Sequence, residues 1–241
     1  MKPASQRCRD AAHFIYDIRE LEEIRLDGVA LWACFQVAEY SDALYEVLGV
    51  PLPSSLGRAV NKRKAEFLGG RFLAALALER IGESAVEIGV GEHRQPLWPA
   101  NISGSLSHSA DRLACVMSTK PGLGLGVDIE GILTDAGARN ITSMVLGPEE
   151  QALLEAHPGG FAVGFTAVFS AKEALFKALY PRVRQYFDFH AARLVSLDWL
   201  QGRLVLALTR NLGLHYRAAD HFELGVTRDD NQVLTYLVHE H

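Results

Sequence analysis

Downstream of residue 200 the chain alternates in four short runs, 203–209, 214–218, 222–227 and 233–239. Side chains on a strand alternate faces with a period of two. The three to five residues between these runs are too few for the crossover that joins parallel strands. The pattern predicts an antiparallel sheet in the C-terminal third. Upstream the period changes. Residues 61–80 carry Phe67, Leu68, Phe72, Ala75, Leu76 and the following Ile81 near helical spacing, and 169–180 reads as a second helix. Gly147-Pro148-Glu149-Glu150 opens a further helix, with proline in the first turn and acids behind it. Residues 29–37 read as a strand. Residues 113–118 and 123–130 read as two strands joined through Thr-Lys-Pro-Gly into a hairpin, and Pro96, Pro99 and the Gly/Ser cluster at 103–109 mark a loop. The fold class is α+β. Pro121-Gly122 is the expected seam, giving an N-terminal subdomain 1–122 and a C-terminal subdomain 123–241.

The totals exclude several classes. With 241 residues, 49% hydrophobic and 22% charged, the chain has length and composition for an ordinary hydrophobic core. No apolar stretch approaches the roughly 20 residues that span a bilayer, and the first residues lack a signal-peptide core, so the expectation is a cytoplasmic protein without a membrane partner. Cys8, Cys34 and Cys115 are odd in number and widely spaced, which reads as free thiols in a reducing compartment. Lys and Arg total 24 against 29 Asp and Glu, a net charge of −5, which argues against nucleic acid as a partner. The charge is uneven: 58–71 holds five basic residues and one acid, a patch suited to a phosphorylated small molecule.

Four stretches bear on chemistry. In Gly126-Val-Asp128-Ile-Glu130, Leu125, Val127 and Ile129 are expected to point into a core, while Gly124, Gly126, Asp128 and Glu130 share the other face, with the glycines leaving space. Two carboxylates so placed repel unless a cation or shared proton lies between them, and hard oxygen ligands suit Mg²⁺; solvated acids at a strand end are the plainer reading. In Phe169-Ser-Ala-Lys-Glu-Ala-Leu-Phe-Lys177, Lys172, Glu173 and Lys177 fall outside the apolar stripe. Glu173 is either a third metal carboxylate with Lys177 one turn on, or part of a Ser170–Glu173 capping box and an i,i+4 ion pair. The loop His93-Arg94-Gln-Pro-Leu-Trp98-Pro and the following Gly104-Ser-Leu-Ser107-His108-Ser present hydroxyls, a histidine and backbone N–H groups to an anion, or form a satisfied surface loop. Arg63 and Arg71 lie about 12 Å apart along a helix axis, within reach of one elongated ligand, or on a solvated face. Gly69 and Gly70 between them admit another backbone or a ligand.

Together and in this order, these segments resemble the 4′-phosphopantetheinyl transferases of the surfactin-synthetase-activating type, nearest the enterobactin-synthetase component D branch. KRKAEFLGGR (62–71), RQPLWP (94–99), GSLSHS (104–109), GVDIE (126–130), FSAKEALFKA (169–178) and YFDF (186–189) carry the resemblance, which spans about residues 58–190. Ala174 departs from the serine that often follows the Lys-Glu pair in members whose helix motif begins with Phe. The resemblance implies a pseudo-dimer of two similar α/β subdomains with coenzyme A in the cleft between them. It also implies transfer of phosphopantetheine from coenzyme A to a serine of an apo acyl or peptidyl carrier protein, releasing adenosine 3′,5′-bisphosphate. It assigns Mg²⁺ to Asp128, Glu130 and Glu173, and proton acceptance to Glu173. Lys177 and His108 would contact the pyrophosphate, Arg63 and Arg71 the nucleotide 3′-phosphate, and His93, Arg94 and Ser107 neighbouring groups. Arg182 and Arg184 are candidates for carrier docking. An internal pseudo-dimer fits a functional monomer. Fatty-acid, polyketide and siderophore pathways stay open. So do a different Mg²⁺-dependent phosphoryl-transfer or hydrolytic enzyme and a non-catalytic coenzyme A-binding protein.

Overall fold

The computed structural model describes residues 3–83, 88–91 and 95–240. The chain divides into two compact units, Met1–Pro121 and Gly122–His241. In the first, a short helix α1 (Ala4–Asp10) precedes strands β1 (Ile15–Glu20) and β2 (Val29–Phe35). Helix α2 (Leu44–Leu48) and the long α3 (Asn61–Arg80) follow, then a small ladder of β3 (Gly89–Val90) with β4 (Pro96–Leu97), and strands β5 (Ser103–Ser109) and β6 (Arg112–Ser118). The main sheet has the order β1-β2-β6-β5, all antiparallel. Helix α3 lies on it because its apolar period repeats over twenty residues: Leu68, Phe72, Leu73 and Leu76 are buried, each contributing about 1.5–3 kcal/mol of transfer free energy. Gly69 and Gly70 set how closely it lies. A side chain at Gly69 would meet Leu113 Cδ1 at 2.9 Å, and one at Gly70 would meet Leu106 Cδ2 at 3.0 Å. The space that these glycines open is therefore filled by leucines of the sheet.

The second unit runs β7 (Leu123–Gly131), α4 (Asp135–Val145), α5 (Pro148–Glu155), α6 (Phe161–Val183), then β8 (Ala192–Asp198), β9 (Arg203–Leu208), β10 (His221–Arg228) and β11 (Gln232–Glu240). Its antiparallel sheet has the order β7-β11-β10-β9-β8. Helix α6 packs on β7 and β11 through small residues, Ala167, Ala171, Ala174 and Ala178, all buried. Each unit has its own apolar core. No described helix is long and apolar enough to cross a membrane.

The α+β class and the helix at 61–80 match the sequence reading, and so does the strand beginning at Val29. Other expectations are corrected. β6 and β7 form no hairpin: β6 is flanked by β2 and β5, and β7 pairs with β11. Residues 103–109 are a strand rather than a loop, with Ser105 and Ser107 buried on one face. Helix α6 starts at Phe161, so Ser170 lies in its middle and caps nothing; its Oγ is 2.8 Å from Thr235 Oγ1. Residues 214–218 are no strand and make one isolated bridge, Leu212 to Tyr216, whereas β8 went unread.

Candidate functional site

The acids of β7 face the helix. In the β7–β11 register Thr235 stands opposite Asp128 and Val233 opposite Glu130. Thr235 touches Ser170 of α6, and Val233 belongs to the core beneath that helix. A side chain at Gly126 would meet the backbone oxygen of Ala174 at 1.9 Å. The expectation that the acid-bearing face is open is thus corrected. The Gly126, Asp128 and Glu130 face is the one that α6 covers, and its glycine makes room for the helix backbone. Leu125, Val127 and Ile129 on the opposite face are buried as well.

That approach brings α6 side chains onto β7. Lys177 Nζ donates to Asp128 Oδ1 at 2.7 Å and to the Val127 carbonyl at 3.0 Å. Asp128 is buried, while Lys177 keeps part of its side chain in solvent. The expected i,i+4 partner of Glu173 therefore reaches across to the strand. Burial pushes the Glu130 carboxyl up to about 7; the charges of Asp128 and, less, Glu173 push the same way, and Lys177 opposes them. Glu173 is raised too, by burial first and then by Asp128, again against Lys177. Asp128 thus disfavours ionisation of both Glu130 and Glu173, and Glu173 that of Glu130, the condition that a hard cation relieves. Among the described residues no three His, Cys, Asp or Glu side chains converge as a formed cage. Mg²⁺ commonly takes one or two protein carboxylates, with water and substrate phosphate completing its shell. The donor set therefore fits that ion without a closed cage.

Lys172 contradicts its expected place outside the apolar stripe. It is buried, donating to the Val145 carbonyl at 2.7 Å and pairing with Glu150 Oε1 at 2.8 Å. Burial lowers its pKa and Glu150 opposes that shift. Sequence reasoning missed this pair, because Glu150 registered only as a helix-start signal. Beside Glu173 lies a hollow of about 80 Å³, floored by Leu175, Phe176, Phe187 and Phe189 and edged by Asp188. The Phe176 and Phe187 rings stand 4.9 Å apart. Its aromatic wall comes from Phe176 of α6 and from the YFDF segment, of which the sequence conveyed only a likeness.

The remaining candidates belong to the first unit. Arg71 is buried on α3, donates Nη2 to the Gly89 carbonyl at 2.9 Å and lies over the Phe67 ring. Its Nη1 is buried without a hydrogen-bond partner. Burial, followed by the charge of Arg63, brings its pKa down to about 10. Arg63, half-buried, lies 3.7 Å from Glu66. Two guanidiniums that repel each other, one with an unsatisfied buried donor, make a place for an anion. Ser107 and His108 are consecutive on β5 and point to opposite faces. His108 shares its face with Leu106, which packs under Gly70 of α3, and with Gly104, on which Trp98 lies. His93 and Arg94 lie outside the described residues.

Two family models match the chain. The 4′-phosphopantetheinyl transferase N-terminal domain covers residues 52–118, and the 4′-phosphopantetheinyl transferase superfamily covers residues 124–237. Enterobactin synthase component D of Salmonella typhi is 38% identical over 154 residues, 64% of this chain and 64% of that protein. The protein of the same name from Escherichia coli K12 is 39% identical over 133 residues, 55% of this chain and 63% of that protein. The match thus spans just under two thirds of these relatives' own length. The 4′-phosphopantetheinyl transferase PptT of Mycobacterium tuberculosis is 28% identical over 180 residues, 71% of this chain and 78% of that protein.

Proposed function

Because the chain belongs to the 4′-phosphopantetheinyl transferase superfamily, we propose that it moves phosphopantetheine from coenzyme A to a serine of an apo acyl or peptidyl carrier protein, with Mg²⁺, releasing adenosine 3′,5′-bisphosphate. The observation that carries the reading is the group Asp128, Glu130, Glu173 and Lys177, assembled where α6 meets β7. The reaction is attack by an alcohol at phosphorus. Its needs are charge neutralisation, in-line placement and removal of one proton.

Asp128, Glu130 and Glu173 would hold the metal. Mg²⁺ bound there supplies charge neutralisation at the phosphoryl oxygens. Lys177, fixed against Asp128 with its side chain partly exposed, would add a cation beside the pyrophosphate. Glu173, a carboxylate beside the proposed metal position, would accept the serine proton at its carboxylate oxygen. Arg63 and Arg71 would take the 3′-phosphate, the partnerless Nη1 of Arg71 supplying a donor that needs an acceptor. His108 and Arg94 would take further phosphate oxygens, with His93 and Ser107 holding neighbouring groups of the nucleotide. The apolar floor beside Glu173 would seat part of the uncharged pantetheine arm. Exposed Arg182 and Arg184 would meet an acidic carrier surface, local attraction being required of an enzyme with net charge −5.

The test is the intact mass of an apo acyl carrier protein after incubation with the chain and coenzyme A, with Mg²⁺, with chelator and with Asp128→Ala. A gain of one phosphopantetheine group, only with metal and intact Asp128, is expected. No gain on acyl or peptidyl carriers, with coenzyme A still bound, would favour a binding protein. Coenzyme A cleaved without carrier modification would favour a hydrolase.

A further inference from the structure

The Lys172–Glu150 pair is more elaborate than stability requires. Both side chains are nearly inaccessible, 2% and 5% exposed. Burying two charges costs desolvation that their attraction often fails to recover, and well-packed apolar replacements are frequently as stable. Yet the pair is well supplied with hydrogen bonds. Glu150 Oε2 accepts from the Gly147 N–H at 2.7 Å, and Oε1 accepts from the Leu194 N–H and from Lys172 Nζ, both at 2.8 Å. Lys172 adds its bond to Val145. One pair thereby ties α6 to the end of α4, the start of α5 and strand β8. A device of this kind fixes register, the best-attested use of a buried ion pair.

What it fixes is set by the next residue. Successive helical residues are turned by about 100°. Glu173 lies between Lys172, held by Glu150, and Ala174, whose backbone oxygen is pressed against Gly126 of β7. The contact at Gly126 sets the depth of α6 on the sheet; the ion pair sets its rotation. We infer that Glu150 and Lys172 are positioning residues, which hold α6 at the angle that aims Glu173 toward Asp128 and the metal. This rests on the proposed function. It adds two residues that are not metal ligands, of which Lys172 also lines the hollow beside Glu173.

Mn²⁺ serves as the probe, its free concentration read by electron paramagnetic resonance with the full chain and coenzyme A. The variants are Glu150→Gln, which keeps the shape and removes the charge, and Lys172→Met combined with Glu150→Met, which removes the pair. Glu173→Gln gives the loss expected from removing the acid itself. Both pair variants should bind Mn²⁺ about 10- to 100-fold more weakly than wild type, the usual cost of disturbing groups that orient metal ligands. The double variant should keep the wild-type circular dichroism spectrum at a lower urea midpoint, because the Gly147 and Leu194 N–H groups and the Val145 carbonyl lose these partners. Lys172→Arg, which keeps the positive charge, should bind Mn²⁺ more tightly than the pair variants. A double variant that folds and binds Mn²⁺ like wild type overturns the inference. If the double variant fails to fold, Glu150→Gln decides by the same criterion; if neither folds, the pair serves the fold and the inference fails. A wild-type chain that takes up no Mn²⁺ overturns the proposed function, and this inference with it.

Discussion

Replacing Gly126 by alanine adds one methyl group at the tightest described contact between α6 and β7. The new Cβ would lie 1.9 Å from the Ala174 oxygen, 2.7 Å from its carbonyl carbon and 3.2 Å from Ala178 Cβ. Ordinary contact begins near 3.4 Å, so the partners must separate by about 1.5 Å. The first two obstacles are backbone atoms inside a 23-residue helix, and no rotamer change clears them. Retreat of α6 strips contacts from Ala171, Ala174 and Ala178 along its length. A gap of 0.5–1 Å already forfeits about a quarter to a half of each dispersion well. The cost should reach or exceed the upper end of the usual overpacking range, about 3 kcal/mol. For a chain of this size that is a drop of about 6–12 °C in melting temperature. The same retreat lengthens the 2.7 Å bond from Lys177 to Asp128, so the proposed phosphopantetheine transfer should fall even in the protein that stays folded. Gly131→Ala is the control: same strand, nothing within 4 Å of the added Cβ, and an expected change within about 0.5 kcal/mol or a small gain. Urea unfolding read by tryptophan fluorescence and circular dichroism measures both variants, and coincident transitions test whether one free energy describes the chain. A Gly126→Ala protein within about 0.5 kcal/mol of wild type would refute the claim that the helix is seated on that glycine.

Further expectations concern charge and hydrogen bonding. Glu130 has a folded pKa of about 7 against an ordinary 4.5, so the folded protein binds the extra proton. Its contribution to stability is present below pH 4.5 and is lost as pH rises through about 7. Metal-free wild type should therefore melt at lower temperature at pH 8 than at pH 6, with a flatter profile for Glu130→Gln and a Mg²⁺-induced rise in melting temperature that grows with pH; an unchanged profile in that variant would refute the assignment. Arg71→Met should raise the coenzyme A KM about tenfold or more with a smaller change in kcat and no loss of stability, since it removes a buried guanidinium with an unsatisfied nitrogen; steady-state kinetics and a thermal melt decide. Ser170→Ala leaves the Thr235 hydroxyl buried without its partner and should cost about 1–3 kcal/mol. Adding Thr235→Val should recover part of that in urea unfolding.

Local signals were read well and distant ones poorly. Helix α3 was legible because its apolar period and its ends are contained in its own twenty residues. The acids, the second helix motif and the basic helix stood out for the same reason. Errors arose where a partner far along the chain decides. Thr-Lys-Pro-Gly has good turn chemistry, yet β6 and β7 find their neighbours elsewhere. Lys172 looks solvent-facing by helical spacing because its buried counter-charge, Glu150, comes 22 residues earlier. Ser170 and Glu173 have capping-box spacing, but the helix had already begun at Phe161, in a stretch rich in Phe, Val and Gly whose period is obscure. Alternation on β7 is correct as a period and its apolar side chains are buried as expected, but the acid-bearing face is covered too, since a glycine can open a face to solvent or to a helix backbone alike.

The β7–β11 pairing also fixes an order of events in synthesis. Gly131 pairs with Gln232 and Leu123 with Glu240, so the strand that carries Asp128 and Glu130 emerges about 100 residues before the strand that holds it. At about 5–20 residues per second that is roughly 5–20 s of waiting. Helix α6 is complete well within that interval but lacks the β11 half of the surface it packs on. Translation that pauses or stops within β11 would leave a nascent chain with every candidate metal acid already made and the β11 half of the packing surface still missing.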